Sequence, residues 1–459
     1  MLARTREERA VVCARQWLHT GLLSLLLSGF LAGVIVLART PFIAGLIDDP
    51  EIARRALVLH VDLSLLVWMF AFLAVLYTAL GGRINWNNSM AGIRLVVIGI
   101  VLMVASGVFR SATPVLANYI PVLDHPVFFF GLLFGGTGLV YAFISNPLRA
   151  AEEPACPTIT PQWRQSGAQT SIRFAALVAV VAIVTIAVTF LVTPSGLNQT
   201  TFYEVAMWGG GHILQFASVL GMITVWLVLL NRLTGQPLVS PRVNQALILI
   251  LAIPALLSPL LLLAGTTSQT YYSGFTYLMR WFIFPVVSVY MVTGVLRLAT
   301  VARKGKLNRS ALWGMCLNGF AVSALLTLTG FILGAMIRTS TTLIPAHYHA
   351  SLGGVTVAYM VMVFLLLREF GYGLNDRRSL RLIRLQPLLF GLGQFIFVIG
   401  FAYAGLQGMG RKMFGSDQNI HSFEALIGLG LMSIGGMLAM AGGLIFIWMV
   451  FKSYINGKT

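Results

Sequence analysis

Long apolar stretches alternate with short polar segments along the whole chain, and this pattern predicts a membrane protein. A helix that crosses a bilayer needs about 20 mostly apolar residues, and twelve stretches meet this requirement. We place them at 20–38, 56–80, 92–109, 125–145, 172–193, 204–230, 244–265, 275–296, 312–336, 346–367, 386–405 and 424–451. The predicted fold class is an all-α polytopic bundle of about twelve transmembrane helices, forming a single domain over residues 1–459.

The polar segments are too short to form a separate water-soluble domain. The longest lies between Asn146 and Ser171. The first apolar run, from Gly21 to Leu37, is too long for the apolar region of a signal peptide and is not followed by a convincing cleavage site. We therefore expect this run to stay in the protein as its first helix.

The composition agrees with this interpretation and indicates a topology. Hydrophobic residues make up 58% of the chain and charged residues 10%, which excludes an ordinary soluble domain. The formal net charge of +17 could suggest nucleic acid, but no polar segment combines a basic stripe with aromatic residues. We expect lipid contacts and no nucleic acid.

The basic residues fall mainly on one side of the predicted bundle. With a cytoplasmic N-terminus, 23 of the 31 Lys and Arg residues lie in cytoplasmic segments. This bias predicts that both termini of a multi-pass protein are cytoplasmic, in a bacterial-type inner (plasma) membrane. The eight on the other side are Arg39, Arg54, Arg55, Arg110, Arg280, Arg338, Arg411 and Lys412.

Four histidines from three distant spans then fall at one depth, in the outer third of the bilayer. His60 lies near the start of span 2, His212 about two turns into span 6, and His347 and His349 in the first turn of span 10. Ionisable residues at such depth usually face a cofactor or a cavity. The alternative is that each makes an interhelical hydrogen bond. Three further histidines are expected at the membrane interface: His19, His125 and His421.

The spacing of His347 and His349 limits what they can bind. Two residues of α-helix rotate the side chain by roughly 200°, so the two imidazoles point to opposite sides of the helix and serve two different sites. Neutral imidazole is a common axial ligand of haem iron, and His60 is the candidate second ligand of a six-coordinate haem. No C-x-x-C-H motif occurs, so any haem is bound non-covalently.

Several segments resemble subunit I of the haem-copper oxidase superfamily, which includes cytochrome c oxidase and the large subunit of nitric oxide reductase. The segment from His60 to Trp68 is similar to the family's low-spin haem helix. The segment Ala346-His347-Tyr348-His349-Ala350 looks like the A-H-x-H motif, which implies that His347 binds a high-spin haem and His349 the low-spin haem. Between spans 11 and 12, Arg411-Lys412 resembles the basic pair that binds haem propionates.

The resemblance is weaker at the residues that would bind the non-haem metal. Trp208-Gly-Gly-Gly-His212 corresponds to the helix that supplies the first ligand of that metal. The family's second and third histidines should follow near span 7, but the segment from Gly265 to Tyr272 contains none. One imidazole does not hold copper or iron in the usual way, so a non-haem copper or iron is doubtful.

Residues for catalysis and for coupled proton transfer are also sparse. Phe216 stands where an oxidase tyrosine or a reductase glutamate is expected, and span 8 contains no lysine, so proton pumping is not expected. Glu204, Tyr271 and Tyr272 could still line a catalytic pocket, or could be interfacial residues.

Three functions remain open at this point. The resemblance implies a respiratory oxidoreductase that passes electrons from a low-spin to a high-spin haem, both by default b-type, and reduces O2 or NO beside His212. Its electron donor would be cytochrome c or quinol, with a small cytochrome c-type subunit as a partner. The alternatives are a monohaem or dihaem membrane cytochrome for electron transfer or gas sensing, and a transporter or scaffold without a cofactor.

Overall fold

The structure is a computed structural model that describes residues 6–41, 49–80, 85–144, 166–414 and 422–457. His421 and Cys156 lie outside these ranges, as does most of the polar segment after Asn146. In the described part, twelve helices are long and apolar enough to cross a membrane, which confirms the predicted all-α membrane class. They are α1 Arg6–Arg39, α2 Pro50–Leu80, α3 Trp86–Ser106, α4 Pro126–Ile144, α5 Ala168–Val192, α6 Gln199–Thr234, α7 Pro241–Ala264, α8 Gln269–Arg303, α9 Trp313–Met336, α10 Leu343–Glu369, α11 Arg377–Leu406 and α12 Phe423–Ile455.

Most helices extend beyond the apolar stretches that predicted them. Helix α3 begins six residues before the predicted start, where the Asn85 side chain accepts a hydrogen bond from the Asn88 N–H. Helix α11 begins at Arg377, where the Asp376 carboxylate accepts from the Ser379 N–H at 2.9 Å. Hydropathy marks only the part of a helix that lies in lipid, whereas the helix itself continues through polar turns to its capping residue.

Three of the helices contain irregular turns. Residues Asp62–Trp68 of α2 and Met279–Ile283 of α8 form π-helical turns. Helix α7 contains Pro254 and ends in a 3₁₀ segment, Ser258–Ala264. Pro259 is the second residue of this segment, and its missing N–H removes an α-helical hydrogen bond where α7 changes to 3₁₀. The π-helical turn of α2 begins two residues after His60. Such turns are frequent at functional sites.

The chain divides into two compact units. The first comprises Met1–Leu25 and Val61–Lys306, and the second comprises Leu26–His60 and Leu307–Thr459. In the second unit α11 and α12 pack very closely, since a Cβ atom added to Gly400 would lie 2.5 Å from the Gly428 carbonyl oxygen. Small residues at a membrane helix interface allow this approach of two backbones.

A short hairpin connects α3 to α4 in the first unit. Strands β1 (Thr113–Val115) and β2 (Val122–Asp124) pair antiparallel, with Pro114 opposite Leu123. The turn between them contains Tyr119, whose φ of +66° is positive, unlike that of any other non-glycine residue in the described ranges. A left-handed conformation is strained for a bulky residue and persists only where other contacts enforce it. These contacts are made to α6.

Candidate haem site and the His212 cluster

His60 is oriented by a serine of α1 within the second unit. Its Nδ1 lies 2.9 Å from the Ser28 carbonyl oxygen, and the Ser28 hydroxyl donates to the His60 carbonyl at 3.0 Å. Because a carbonyl only accepts hydrogen bonds, Nδ1 carries the proton, and the lone pair of the neutral ring is on Nε2. This is the tautomer that an axial haem ligand requires, and the hydrogen bond from Nδ1 to the Ser28 carbonyl orients the ring.

His349 lies near His60 in the same unit and occupies an aromatic setting. Its ring centroid is 4.7 Å from that of Phe397 and 6.4 Å from that of Phe401, both on α11. His60 and His349 are close enough to interact electrostatically. Within the described ranges the half-buried His349 ring makes no hydrogen bond. Two imidazoles from α2 and α10, one of them without a hydrogen bond, therefore fit the donor set of a six-coordinate haem.

His347 faces a different helix from His349. Its Nδ1 donates to the Gly330 carbonyl of α9 at 2.7 Å, and a Cβ atom added to Gly334 would lie 2.8 Å from the same ring. His347 thus contacts α9 while His349 contacts α11, as the two-residue spacing predicts. Both lie in the second turn of α10, since this helix begins at Leu343 rather than at the predicted residue 346.

A buried arginine, Arg39, lies beside this site. The sequence had predicted it only as a charged residue in a loop. Arg39 ends α1, is 5% exposed, and packs its guanidinium group against Phe401 and Phe414, 5.1 and 4.1 Å from their centroids. One of its nitrogens donates to the Arg411 carbonyl. Its Nε has no hydrogen-bond partner, and no carboxylate of the described residues pairs with Arg39. A buried cation is costly without an anion, so this setting fits an anionic group.

The predicted basic pair joins the same cluster. Arg411 and Lys412 are half-buried in the loop after α11. This loop is tied to the start of α10, because the Thr342 N–H donates to the Met409 carbonyl at 2.9 Å. Tyr348 of α10 interacts electrostatically with both Arg39 and Arg411. Two arginines far apart in sequence therefore lie beside the helix that carries His349.

His212 is in a closed setting within the first unit. The residue is 2% exposed. Its Nδ1 donates to the Trp208 carbonyl at 2.7 Å, and its Nε2 lies 2.9 Å from the Tyr119 hydroxyl. Because Nδ1 carries the proton, Nε2 is the acceptor and Tyr119 is the donor. Both ring nitrogens of His212 are therefore hydrogen-bonded within the protein. Tyr119 was not among the site residues predicted from the sequence.

The two candidate tyrosines of α8 lie against the same part of α6. The buried Tyr271 hydroxyl donates to the Val205 carbonyl at 3.0 Å and accepts from the Gly209 N–H at 2.9 Å. The Tyr272 carbonyl accepts from the Trp208 indole N–H at 3.3 Å, and the two rings lie 5.2 Å apart. Both tyrosines hold α8 against α6.

Glu204 lies one turn before Trp208 and accepts a hydrogen bond from the Asn118 N–H at 3.3 Å, next to Tyr119 in the hairpin turn. The structure therefore brings all four candidate catalytic residues into one cluster. No group of three or more His, Cys, Asp or Glu residues in the described ranges could hold a metal ion. The cluster does not fit a non-haem metal that requires three such ligands.

The three consecutive glycines before His212 have a packing explanation. Each faces a different neighbour, so a side chain at any of them would push a different element away from α6. A Cβ atom would lie 2.9 Å from the Tyr271 hydroxyl at Gly209, 2.2 Å from Ile186 at Gly210, and 2.5 Å from the Tyr119 Cβ at Gly211.

Comparison with solved structures identifies the architecture. The chain superposes on a cryo-EM structure of a heme-copper terminal oxidase dimer with a TM-score of 0.78 and 15% sequence identity, covering 98% of this chain and 85% of that one. The fold is that of a haem-copper terminal oxidase. The predicted subunit I-like bundle is therefore confirmed, and the protein is a multi-pass membrane protein with an oxidase-like fold.

Sequence comparison finds bacterial relatives of this oxidase-like chain. An uncharacterized protein of Rickettsia prowazekii (strain Madrid E) is 25% identical over 519 residues, covering 97% of this chain and 95% of the relative. An uncharacterized protein of Aquifex aeolicus (strain VF5) is 27% identical over 362 residues, covering 78% and 85%. No protein-family model matches the chain.

Proposed function

We propose that the protein is a haem-binding membrane oxidoreductase whose primary activity is electron transfer through a low-spin haem held by His60 and His349. The observation that carries this proposal is the pair of neighbouring imidazoles in the second unit. Ser28 sets the His60 tautomer, and the His349 ring makes no hydrogen bond among the described residues. A haem bound there supplies reversible one-electron chemistry at its iron.

The basic cluster supports an anionic cofactor at this place. Arg39 and Arg411 would hold the haem propionates, because a planar guanidinium group matches a carboxylate with two hydrogen bonds. Lys412 would add a second positive charge in the same loop. The rings of Phe397, Phe401 and Phe414 would exclude water from the cofactor. Propionates would also supply the counter-charge that the buried Arg39 lacks among the described residues.

The cofactor and partners belong to the same proposal. The haem is non-covalent, since the sequence has no C-x-x-C-H motif, and b-type is the default haem type of this proposal. Cytochrome c or a quinol donates the electrons, the former together with a small cytochrome c-type subunit. The excess of basic residues in one set of loops supports a bacterial inner membrane with both termini in the cytoplasm.

A second candidate function is the reduction of O2 or NO at a second haem bound by His347. The observation that favours it is the His347 to Gly330 hydrogen bond, which leaves the lone pair on Nε2. Glu204, Tyr271, Tyr272 and His212 are the predicted catalytic residues of this candidate. Electron transfer ranks first because both nitrogens of His212 are already hydrogen-bonded within the protein.

The test is a reduced-minus-oxidised optical spectrum of the full-length protein purified from haem-replete cells, combined with haem quantification. We expect a six-coordinate b-type signal that carbon monoxide does not shift. Two haems per chain, one of them shifted by carbon monoxide, would support gas reduction at the His347 site. Protein without haem would contradict both candidates and favour a transporter or scaffold.

A further inference from the structure

Two arginines converge on one tryptophan at the start of α9, in the second unit and apart from the histidines. The guanidinium carbons of Arg309 and Arg384 lie 5.8 and 5.5 Å from the centroid of the Trp313 ring. Arg309 precedes α9, whereas Arg384 comes from the second turn of α11. Both arginines are exposed, and Trp313 is half-buried. Two positive charges therefore share one aromatic surface.

No acidic side chain of the described residues balances these charges. Neither arginine forms an ion pair in those ranges. The nearby acid of α11's N-terminus, Asp376, is instead paired with Lys452 at 3.3 Å. Like charges that lie together without a counter-charge create a positive potential that attracts an anion.

Packing fixes the position of Arg384. Its side chain lies across Gly314, where an added Cβ atom would be 2.7 Å from Nε. Its carbonyl accepts a hydrogen bond from the Asn318 side chain at 2.8 Å, which joins α11 to α9. The backbone of Arg384 is therefore tied to α9, and its side chain lies against Gly314, which places the guanidinium group beside Trp313.

The surface of α11 changes from charged to apolar within one turn of Arg384. Arg377, Arg381 and Arg384 follow one another along one face of α11 at spacings of four and three residues. Leu388 and Leu392 continue the same face and are 41% and 54% exposed. Tryptophan is enriched at the level where lipid headgroups meet acyl chains. A charged end followed directly by an apolar face fits a phospholipid better than a soluble anion.

We propose that Arg309, Arg384 and Trp313 form a binding site for an anionic phospholipid. The lipid phosphate lies between the two guanidinium groups, which bind phosphate oxygens through charge-assisted hydrogen bonds. The acyl chains extend along Leu388 and Leu392. This site does not depend on haem binding.

The first experiment counts the lipids that the full-length protein retains. Detergent-solubilised protein is titrated with phosphatidylglycerol or phosphatidylcholine, and bound lipid is counted by native mass spectrometry. We expect a preference for phosphatidylglycerol that falls about fivefold with R309Q or with R384Q, and further in the double variant. The control is R378Q, which removes the same charge from an exposed arginine at the start of α11. Unchanged retention in the double variant, or an equal loss in R378Q, would refute the site.

The second experiment reports on the ligand's position and source. In nanodiscs, phosphatidylglycerol with brominated acyl chains should quench the Trp313 fluorescence, measured as the difference between the wild type and W313F. Brominated phosphatidylcholine should quench it less. Equal quenching by the two lipids contradicts the proposal. Displacement of phosphatidylglycerol by millimolar inorganic phosphate would assign the arginines to a free anion and overturn the lipid assignment.

Discussion

His349 and His212 are both histidines inside an apolar membrane protein, yet their surroundings differ in chemistry. His212 uses one ring nitrogen to donate to Trp208 and the other to accept from Tyr119. His349 contacts phenylalanine rings and makes no hydrogen bond among the described residues. A histidine whose lone pair is occupied stabilises a fold, whereas one without a partner is suited to bind a ligand.

The charged groups near the two histidines differ in the same way. In the first unit the Glu204 carboxylate accepts from the backbone of the hairpin turn. In the second unit the buried Arg39 has an Nε without a partner and no carboxylate from the described ranges. In the first cluster His212, Glu204 and the Tyr271 hydroxyl are hydrogen-bonded within the protein. The second cluster has an excess of positive charge that an anionic cofactor would balance.

Replacing each histidine by alanine should give the largest difference. We expect His349→Ala to abolish the six-coordinate haem signal, because His347, the other histidine of α10, contacts α9 and would not replace this ligand. His212→Ala should keep that signal. Both are measured by reduced-minus-oxidised spectra at equal protein concentration. An unchanged spectrum for His349→Ala would refute the ligand assignment.

Removing the charge of Arg39 should have the next largest effect, on haem retention. Arg39→Met should weaken haem retention about tenfold to a hundredfold, the usual range for a lost hydrogen bond to a charged group. The haem-free protein should not lose stability, because the substitution removes a buried cation. Haem loss to excess apomyoglobin measures the first effect and thermal unfolding the second.

Arg338→Met is the matched control for this variant. Arg338 is exposed, lies in the same unit, and donates only to carbonyls at the end of α9. It should leave haem retention unchanged, and Arg39→Lys should fall between Arg39→Met and the wild type. If Arg39→Met retained haem as the wild type does, Arg39 would not contact the cofactor.

Loss of the Tyr119 hydroxyl should have the smallest effect. Tyr119→Phe leaves the buried Nε2 of His212 without its donor and should lower the free energy of unfolding by about 1–3 kcal/mol. The haem spectrum should stay the same. Tyr141→Phe is the control in the same unit, since Tyr141 is exposed and its hydroxyl donates to the Asn88 side chain at 3.2 Å. A Tyr119→Phe variant with normal stability and an altered haem spectrum would instead place His212 at a cofactor.

Much of the helical architecture was predictable, because apolar length is a local property of the sequence. All twelve spans were found, and errors fell at polar ends such as those of α3 and α11. The caps Asn85 and Asp376 decide those ends, and hydropathy does not detect them. The opposite directions of His347 and His349 also followed from helix geometry alone.

The partners of the candidate residues were not predictable in this way. Arg39 and Arg411 are 372 residues apart, and Tyr119 and His212 are 93 apart. In the sequence, Arg39 resembled any other charged residue at the end of a span. Tyr119 resembled any other aromatic residue in a loop. The sequence by itself determined which helices form and which histidines lie within them, since both depend on neighbouring residues. Only the tertiary structure decided which lone pairs and charges are already satisfied, because hydrogen bonds between distant segments depend on how the helices pack.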